Sequence, residues 1–359
     1  MIVLLERSTK ASLSILSIRE NCLAMSKKFF FLLFFWSVLG LHRLGLAGED
    51  SNNLVGGART EGNVIVYSTM TLDESQRIIT GFKKKYPFLD VSIYRTGSSA
   101  LLSRILLEDR AGTRDFDLVM GSGGMVPPLK TKGLLAPYVS PEQRLYGNDL
   151  KDPKSYWTAM YVSPMVLGFN SGMVHASETP KTYQDLLNPK WMGKLSLDST
   201  GHALLIGLRR AWGQTKASEY LGKLAAQKPI VQRGNATRLQ LVAAGEFPLL
   251  ITYNYMVQGS ASKGAPVDWV ALEPVVVQIN PIMVAAKARH PNAARLLTDF
   301  VLSQEAQSIL RDLKRVPARS DVEPDPPSLF RGFKRQLISP DEEDTENDAR
   351  EYMQILGVR

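Results

Sequence analysis

Between residues 63 and 120 the arrangement of hydrophobic and polar residues alternates between two patterns, one typical of strands and one typical of helices. Short β-branched runs predict buried strands, and longer stretches with apolar residues at helical spacing predict amphipathic helices. The predicted strands are 63–68, 89–94 and 115–120, and the predicted helices between them are 72–86 and 100–111. This order of strand and helix is typical of a parallel α/β sheet.

The closing part of the chain has its own pattern. Residues 275–286 form a β-branched run that the dipeptide Asn280-Pro281 interrupts, which predicts a strand, a turn and a second strand. Pro291 predicts a helix start, because a proline at the first helical position loses only an N–H that would be unpaired anyway. Ser303 predicts the N-cap of a second helix directly after the first.

Two stretches in the middle of the chain predict crossings between two parts of the molecule. Residues 157–170 alternate like a strand and predict the first crossing, and residues 266–286 predict the return. Residues 247–255 predict a further strand that ends in two tyrosines. Tyr253 and Tyr255 are two positions apart, so on a strand they would face the same side.

Composition and charge narrow the class of protein. The chain has 359 residues, of which 44% are apolar and 22% are charged, so it is globular and long enough for two lobes. Residues 1–47 hold six of the 43 basic and two of the 35 acidic residues, so the formal charge of +8 falls to +4 without them. Such a weak and scattered positive charge does not indicate a nucleic-acid partner.

The N-terminus predicts an exported protein. Met25 is followed by two lysines, an apolar run and the small residues at 45–47, which predicts a signal peptide at 25–47; an uncleaved anchor is the alternative. Residues 1–24 are expected to be an upstream extension from a misplaced start codon, and they contain the only cysteine, Cys22. The exported protein would then have no disulfide and no thiolate metal site, which fits the bacterial periplasm.

Three phrases of the sequence resemble one family. They are the run from His290 to Gln307, Trp191-Met-Gly-Lys194 and Arg315-Val-Pro-Ala-Arg-Ser-Asp-Val322. Over roughly residues 60–355 the chain resembles bacterial extracellular solute-binding proteins, the receptors of ABC importers, and it is nearest the ferric-iron-binding branch. The resemblance implies the type II periplasmic-binding-protein fold, with two α/β lobes joined by crossing hinge strands. It also implies a monomer whose partners are an ABC permease and ATPase in the inner membrane.

The resemblance and the two crossings together predict the domain organisation. The predicted parts are a solvated leader at 48–62, a discontinuous lobe 1 at 63–160 and 271–359, and lobe 2 at 161–270. The acidic residues at 341–346 predict a solvated surface segment.

Small polar residues follow the first three predicted strands. The candidate ligand-binding residues at these strand ends are Thr69, Ser98, Ser99, Ser122 and Gly123. Open α/β sheets bind ligands at the carboxyl ends of their strands, where helix N-termini present unpaired N–H groups. Each turn could also be a simple N-cap. None of them matches a dinucleotide or P-loop fingerprint.

The resemblance also implies a set of site residues. In the ferric branch, iron is bound by tyrosinates, a histidine and a carboxylate, together with an anion held by hydroxyl, backbone and asparagine groups. By position, the anion-binding roles fall on Ser199, Thr200, Gly201 and Asn235, and the family's two tandem tyrosines fall on Tyr255 and Met256, of which only Tyr255 is a tyrosine. Tyr253, two residues earlier, and Tyr161 are the further candidates for metal binding. The tyrosines could equally pack at the cleft edge.

The metal half of that set is incomplete in this sequence. The residues at 69–71 stand where the family's histidine is expected, and the residues at 121–123 stand where its glutamate is expected. His202 is an outside candidate for a metal ligand. The expected ligand is therefore either Fe(III) with a bound anion or a small oxyanion such as a phosphonate or carboxylate.

Three function classes remain at this point. The leading one is a transport receptor, and the second is a receptor that presents its ligand to a membrane sensor kinase. An enzyme on the same fold is the third, but the sequence shows no Ser/His/Asp order, no paired carboxylates in a motif and no His/Cys metal set. No catalytic residue is predicted.

Overall fold

A computed structural model of the protein describes residues 53–343 and 345–358. The chain divides into two compact units, residues 1–56 and 57–359. Of the first unit only residues 53–56 are described, and they are helical. The predicted N-terminal extension and signal peptide lie outside the described residues.

The first strands and helices form the parallel sheet that the sequence predicts. Their bounds are β1 (Asn63–Ser68), α2 (Leu72–Lys85), β2 (Asp90–Arg95), α3 (Ser98–Ala111) and β3 (Leu118–Met120). β1 pairs in parallel with β2 on one side and β3 on the other. The carboxyl ends of the three strands therefore lie at one edge of the sheet.

Two long antiparallel strands run through the middle of the molecule, β5 (Thr158–Asn170) and β10 (Val275–Ala285). The predicted turn inside β10 is wrong: its register shifts between Asn280 and Pro281 but the strand continues. A bulge lets a strand absorb a proline, which cannot donate a ladder hydrogen bond. Asn280 Nδ2 donates to Ser163 Oγ on β5 at 3.0 Å, across this irregularity.

The far part of β5 carries a second group of strands. The elements there are β6 (Leu195–Asp198), α5 (Ala203–Trp212), α6 (Gln214–Ala226), β7 (Ile230–Gln232), α7 (Asn235–Ala244), β8 (Leu249–Tyr253), α8 (Asn254–Ala261) and β9 (Val267–Val270). The continuous strand order is β2-β1-β3-β10-β5-β8-β6-β7. β6 pairs in parallel with both β7 and β8, so this group repeats the α/β pattern of the first.

The remaining elements are short or close the chain. They are α1 (57–61), α4 (Val126–Thr131), β4 (Leu135–Ala136), α9 (Pro291–Leu302), α10 (Gln304–Asp312), β11 (Val316–Pro317), β12 (Arg335–Ile338) and α11 (Thr345–Ile355). The predicted helix pair is confirmed, and the Ser303 side chain caps α10 by accepting from the N–H of Ala306. Leu297 and Val301 bury the inner face of α9.

The predicted solvated leader is wrong in its last residues. Ala58 in α1 is fully buried. Glu61 accepts hydrogen bonds from the N–H groups of Asn292 and Ala293, at 3.1 and 2.7 Å. A carboxylate from α1 therefore caps the N-terminus of α9, which no local pattern could indicate because the two segments are far apart in sequence.

The predicted strand through both tyrosines ends two residues early. β8 stops at Tyr253, and α8 begins at Asn254, so Tyr255 lies in the first turn of a helix. Asn254 is fully buried, and its side-chain Nδ2 donates to the carbonyl of Leu329 at 2.7 Å. This distant contact fixes the change from strand to helix.

The lobe boundaries at 161 and 271 stay a prediction. The pairing of β5 changes partner close to the first of them: residues Thr158–Pro164 pair with β10, and residues Met165–Phe169 pair with β8. Within residues 53–343 and 345–358, no helix is long and apolar enough to cross a membrane.

Candidate functional site

A cleft of about 1050 Å³ lies at the carboxyl ends of the strands. It brings together nine of the twelve residues that the sequence singles out: Thr69, Ser98, Ser99, Ser122, Tyr161, Thr200, Asn235, Tyr253 and Tyr255. The other three are Gly123, Ser199 and Gly201. Gly201 lines a small adjoining cavity of about 50 Å³, and the N–H of Ser199 donates to the carbonyl of Gln232 at 3.1 Å.

Two long helices begin at the cleft without a side-chain cap. α3 starts after Gly97 and α7 after Gly234, and the backbone of both glycines lines the cleft. The first N–H groups of a helix have no partner within the helix and carry a partial positive charge. By contrast, Thr71 and Glu74 cap α2 with a full capping box. The N-termini of α3 and α7 can therefore donate to an anion in the cleft.

The predicted anion loop at residues 199–201 uses its donors internally. The Thr200 N–H and hydroxyl both donate to Asp198 Oδ1 at 2.8 Å, and the Gly201 N–H donates to the Asp198 carbonyl at 2.9 Å. The carboxylate of Asp198 thus occupies the donors that the resemblance assigns to a bound anion. The binding role of these residues stays a prediction.

Asn235 is held in one orientation by its neighbours. Its Oδ1 accepts from Arg238 Nη2 at 2.6 Å and from Thr252 Oγ1 at 3.0 Å. Arg238 is itself fully buried and also donates to the carbonyls of Ser196 and Ile251, at 3.1 and 2.9 Å. Because both bonds go to Oδ1, the amide nitrogen is the group that Asn235 can offer a ligand.

Three cationic side chains line the cleft and are exposed: Arg95, Lys132 and Arg233. Arg95 Nε donates to the carbonyl of Met70 at 3.1 Å. Among the ion pairs of the described residues, none involves these three cations. They add positive charge that the chain itself does not neutralise, which favours an anionic ligand.

The tyrosines form a cluster around a buried arginine. The rings of Tyr253 and Tyr255 stack with centroids 6.0 Å apart at 15°. The Arg315 guanidinium lies 3.8 Å from the ring centroid of Tyr255 and 4.6 Å from that of Tyr161. Arg315 also donates to both carboxylate oxygens of Glu74, at 2.9 and 2.8 Å. We refer to the side chains of Glu74, Tyr161, Tyr253, Tyr255 and Arg315 as the tyrosine cluster.

Burial keeps the hydroxyl groups of the tyrosine cluster neutral. It raises the pKa of Tyr161, Tyr253 and Tyr255 above the ordinary value, and the charge of Arg315 offsets only part of the effect at Tyr161 and Tyr255. Burial alone would raise the pKa of Glu74 too, but Arg315 outweighs it and holds that pKa below its usual range. Tyr253 donates to Gln278 Oε1 at 2.5 Å.

The donor set fits ferric iron only in part. Phenolates are hard oxygen ligands, and three phenols line one cleft. However, their protons are held tightly, and the guanidinium against two of the rings repels a trivalent cation. In the part of the chain that the structure describes, no group of three or more His, Cys, Asp or Glu side chains could hold a metal ion. His202 lines the cleft, and burial lowers its pKa.

The acidic segment at 341–346 is the part of the site that the sequence misses. The prediction that it is a solvated segment is wrong for Glu343, whereas Asp341 is exposed. Asp341 accepts from Lys130 Nζ at 2.6 Å and from Trp157 Nε1 at 2.9 Å. Glu343 is 2% exposed and lines the cleft. No local pattern marks this burial, because it depends on residues some two hundred positions earlier.

The comparisons with known proteins place the chain among binding proteins. Residues 114–335 match the family model described as bacterial extracellular solute-binding protein. A protein from Serratia marcescens named Fe(3+)-binding periplasmic protein is 23% identical over 266 residues, which are 71% of this chain and 78% of that one.

Solved structures agree on the fold. Iron-bound HitA from Pseudomonas aeruginosa superposes with a TM-score of 0.73 at 21% identity, over 82% of this chain and 99% of that one. AfuA from Actinobacillus pleuropneumoniae, with fructose-6-phosphate bound, gives 0.72 at 21% identity, over 83% and 99%. These likenesses confirm the predicted type II periplasmic-binding-protein fold.

Proposed function

This chain belongs to the bacterial extracellular solute-binding proteins, and on that premise we propose that it is the periplasmic receptor of an ABC importer for a small organic oxyanion. The ligand is captured in the cleft and delivered to a membrane permease with its ATPase. The family is one of solute-binding proteins and not of enzymes, so the proposal contains no chemical step.

The observation that carries the proposal is the excess of unused donors in the cleft. The N-termini of α3 and α7 carry no side-chain cap, and Arg95, Lys132 and Arg233 line the same cleft without a carboxylate partner among the described residues. An oxyanion accepts several hydrogen bonds at once, so it can satisfy backbone and guanidinium donors together. The volume of about 1050 Å³ suits an organic ligand better than a single ion.

The relative bound to fructose-6-phosphate supports an organic anion, and the Fe(3+)-binding relative supports a second candidate. In that second candidate, ferric iron with an accompanying anion binds to Tyr161, Tyr253 and Tyr255. It is favoured by one observation: all three phenols line the same cleft. The buried Arg315 and the raised pKa values of the phenols make it the weaker of the two.

Thermal unfolding of the protein isolated from the periplasmic fraction tests the first candidate. A ligand that binds only the folded state raises the melting temperature with its concentration. We expect phosphorylated sugars, phosphonates or carboxylates to do so. Arg233→Ala should weaken the effect, and Lys84→Ala, on the exposed side of α2, should leave it unchanged. If none of these anions raises the melting temperature, the oxyanion proposal is wrong.

The visible spectrum and the iron content of the same sample test the second candidate. An absorption band from phenolate to iron, with about one iron per chain, would establish ferric binding if Tyr253→Phe and Tyr255→Phe remove it. A colourless protein that iron and citrate together do not stabilise would remove that candidate.

A further inference from the structure

Glu343 is buried in the wall of the cleft. Its side chain lines the cleft, only 2% of the residue is exposed, and neither carboxylate oxygen has a hydrogen-bond partner among the residues that the structure describes. Two other acidic residues of the same segment do have ion-pair partners: Asp341 pairs with Lys130, and Glu346 pairs with Arg350. Within the acidic segment, Glu343 is the buried carboxylate that the chain leaves unsatisfied.

The fold makes room for this carboxylate at one particular glycine. A side chain at position 123 would collide with Oε1 of Glu343 and would lie 3.2 Å from the carbonyl oxygen of Ile279. Gly123 therefore allows the turn after β3 to approach Glu343 closely. Gly123, which the sequence predicts to be a ligand-binding residue, thus contributes to the cleft by leaving space for the Glu343 carboxylate.

A buried carboxyl group without partners is unfavourable in the ligand-free protein. Burial raises the pKa of Glu343 to about 8, and the negative charge of Asp348 contributes in the same direction. Buried polar groups in proteins are nearly always hydrogen-bonded, so an exception in a ligand cleft points to a partner that arrives with the ligand.

We propose that Glu343 binds an ammonium group of the ligand, so that the transported solute is an oxyanion that also carries an amine. This deepens the proposed function and rests on it. An ammonium group has three donors and can satisfy both carboxylate oxygens, whereas a hydroxyl group donates only once. The charge of the amine also compensates the buried carboxylate, which a neutral group cannot do.

The rest of the cleft explains why a carboxylate is needed at this position. Elsewhere in the cleft the hydroxyl groups of Ser98, Ser99 and Ser122 could hold a ligand hydroxyl group. The donors around the N-termini of α3 and α7 hold the oxyanion in the proposed function. Glu343 then supplies a buried acceptor with the charge that an ammonium group requires, whereas the other two carboxylates that line the cleft are paired, Asp198 with Thr200 and Glu346 with Arg350.

Titration calorimetry with matched pairs of small molecules tests this inference. Phosphoethanolamine is compared with ethyl phosphate, and β-alanine with propionate, since the members of each pair differ only by the amine. Glycerol 3-phosphate tests the hydroxyl alternative. We expect the amine-bearing member of at least one pair to bind about tenfold more tightly or better.

Three variants assign that preference to the carboxylate. Glu343→Gln keeps the shape and removes the charge, so it should abolish the preference for the amine-bearing member of each pair. Gly123→Ala should weaken the preference by displacing the Glu343 carboxylate. Glu342→Gln is the control, because Glu342 is exposed, pairs with Arg210 and is not among the residues that line the cleft.

The outcomes separate this inference from the proposed function. If the oxyanions bind but the amine makes no difference, if glycerol 3-phosphate matches phosphoethanolamine, or if Glu343→Gln keeps the preference, the inference is wrong and the receptor proposal stands. If no oxyanion binds, both are wrong. Should Glu343→Gln fail to fold, the wild-type preference and Gly123→Ala decide.

Discussion

The tyrosine cluster and the donors at the N-termini of α3 and α7 face the same cleft but use their polar groups differently. In the tyrosine cluster, Arg315 is paired with Glu74 and covered by two rings, and Tyr253 donates to Gln278. The two helix N-termini have no side-chain cap, and the cations Arg95, Lys132 and Arg233 of the same cleft have no carboxylate partner in the part of the chain that the structure describes.

This difference indicates which group of residues serves stability and which serves binding. A polar group that is satisfied within the chain gains little from a ligand, because the ligand must first displace its partner. A polar group that has no hydrogen-bond partner within the chain gains a complete hydrogen bond when the ligand binds. Aromatic and charged residues in a cleft are therefore a weaker sign of a binding site than donors without partners.

Breaking the pair inside the tyrosine cluster should have the largest effect. Glu74→Gln leaves the buried charge of Arg315 uncompensated, so we expect the free energy of unfolding to fall by about 3 kcal/mol. Urea unfolding measures this change. The control is Asp73→Asn, whose partner Arg77 is exposed and which should change stability by less than about 1 kcal/mol. Equal losses in the two variants would contradict a structural role for the Arg315–Glu74 pair.

Changing pH should separate Glu343 from the satisfied groups of the tyrosine cluster. Its pKa rises from 4.5 to about 8 on folding, so its contribution to stability is fully present below pH 4.5 and is lost as the pH rises through 8. Glu343→Gln should match the wild type near pH 4 and exceed its stability near pH 9 by roughly 2 kcal/mol. Thermal unfolding across this range measures the difference. A difference in stability that stays constant with pH would show that Glu343 is not the group that titrates.

Removing one backbone N–H from the N-terminus of α3 should weaken ligand binding without unfolding the protein. Ser98 is the first residue of α3, and Gly97 before it is extended, at φ −70° and ψ 155°, as a residue before proline prefers. Ser98→Pro should therefore keep the helix and lower oxyanion affinity by about tenfold, compared with Ser98→Ala, which removes only the hydroxyl. Calorimetry with the tightest-binding oxyanion measures both variants. Equal affinities would mean that this N–H does not contact the ligand.

The smallest effect is expected from Tyr253→Phe. The variant loses the hydrogen bond to Gln278, so stability should fall by about 1 kcal/mol, while oxyanion affinity stays unchanged. Chemical unfolding and calorimetry on the same sample measure the two quantities. A large loss of affinity with intact stability would move Tyr253 from the structural group to the binding group.

Local patterns were reliable where one segment decides its own structure. The strand at 63–68 occurs with the predicted bounds, and the helix predicted at 72–86 ends one residue earlier, at Lys85. The predictions failed where a distant group decides. Asn254, bonded to Leu329, begins a helix between the two tyrosines, and residues 57–61 form a buried helix that caps α9.

The prediction of the candidate site succeeded and failed for similar reasons. Resemblance and strand ends indicated Ser98, Asn235 and the three tyrosines, and all of them line the cleft. Neither source indicated that Asp198 uses the donors of the loop at 199–201, because hydrogen-bond partners are not visible in a residue pattern.

The sequence by itself determined the order of strands and helices, the family and the edge of the sheet where the site lies. These features follow from hydrophobic periodicity and from short sequence motifs, each of which depends on only a few neighbouring residues. Only the tertiary structure decided which polar groups are satisfied: it paired Arg315 with Glu74, left α3 and α7 uncapped and buried Glu343 beside Gly123. Satisfaction depends on contacts between segments far apart in the chain, and only folding brings those segments together.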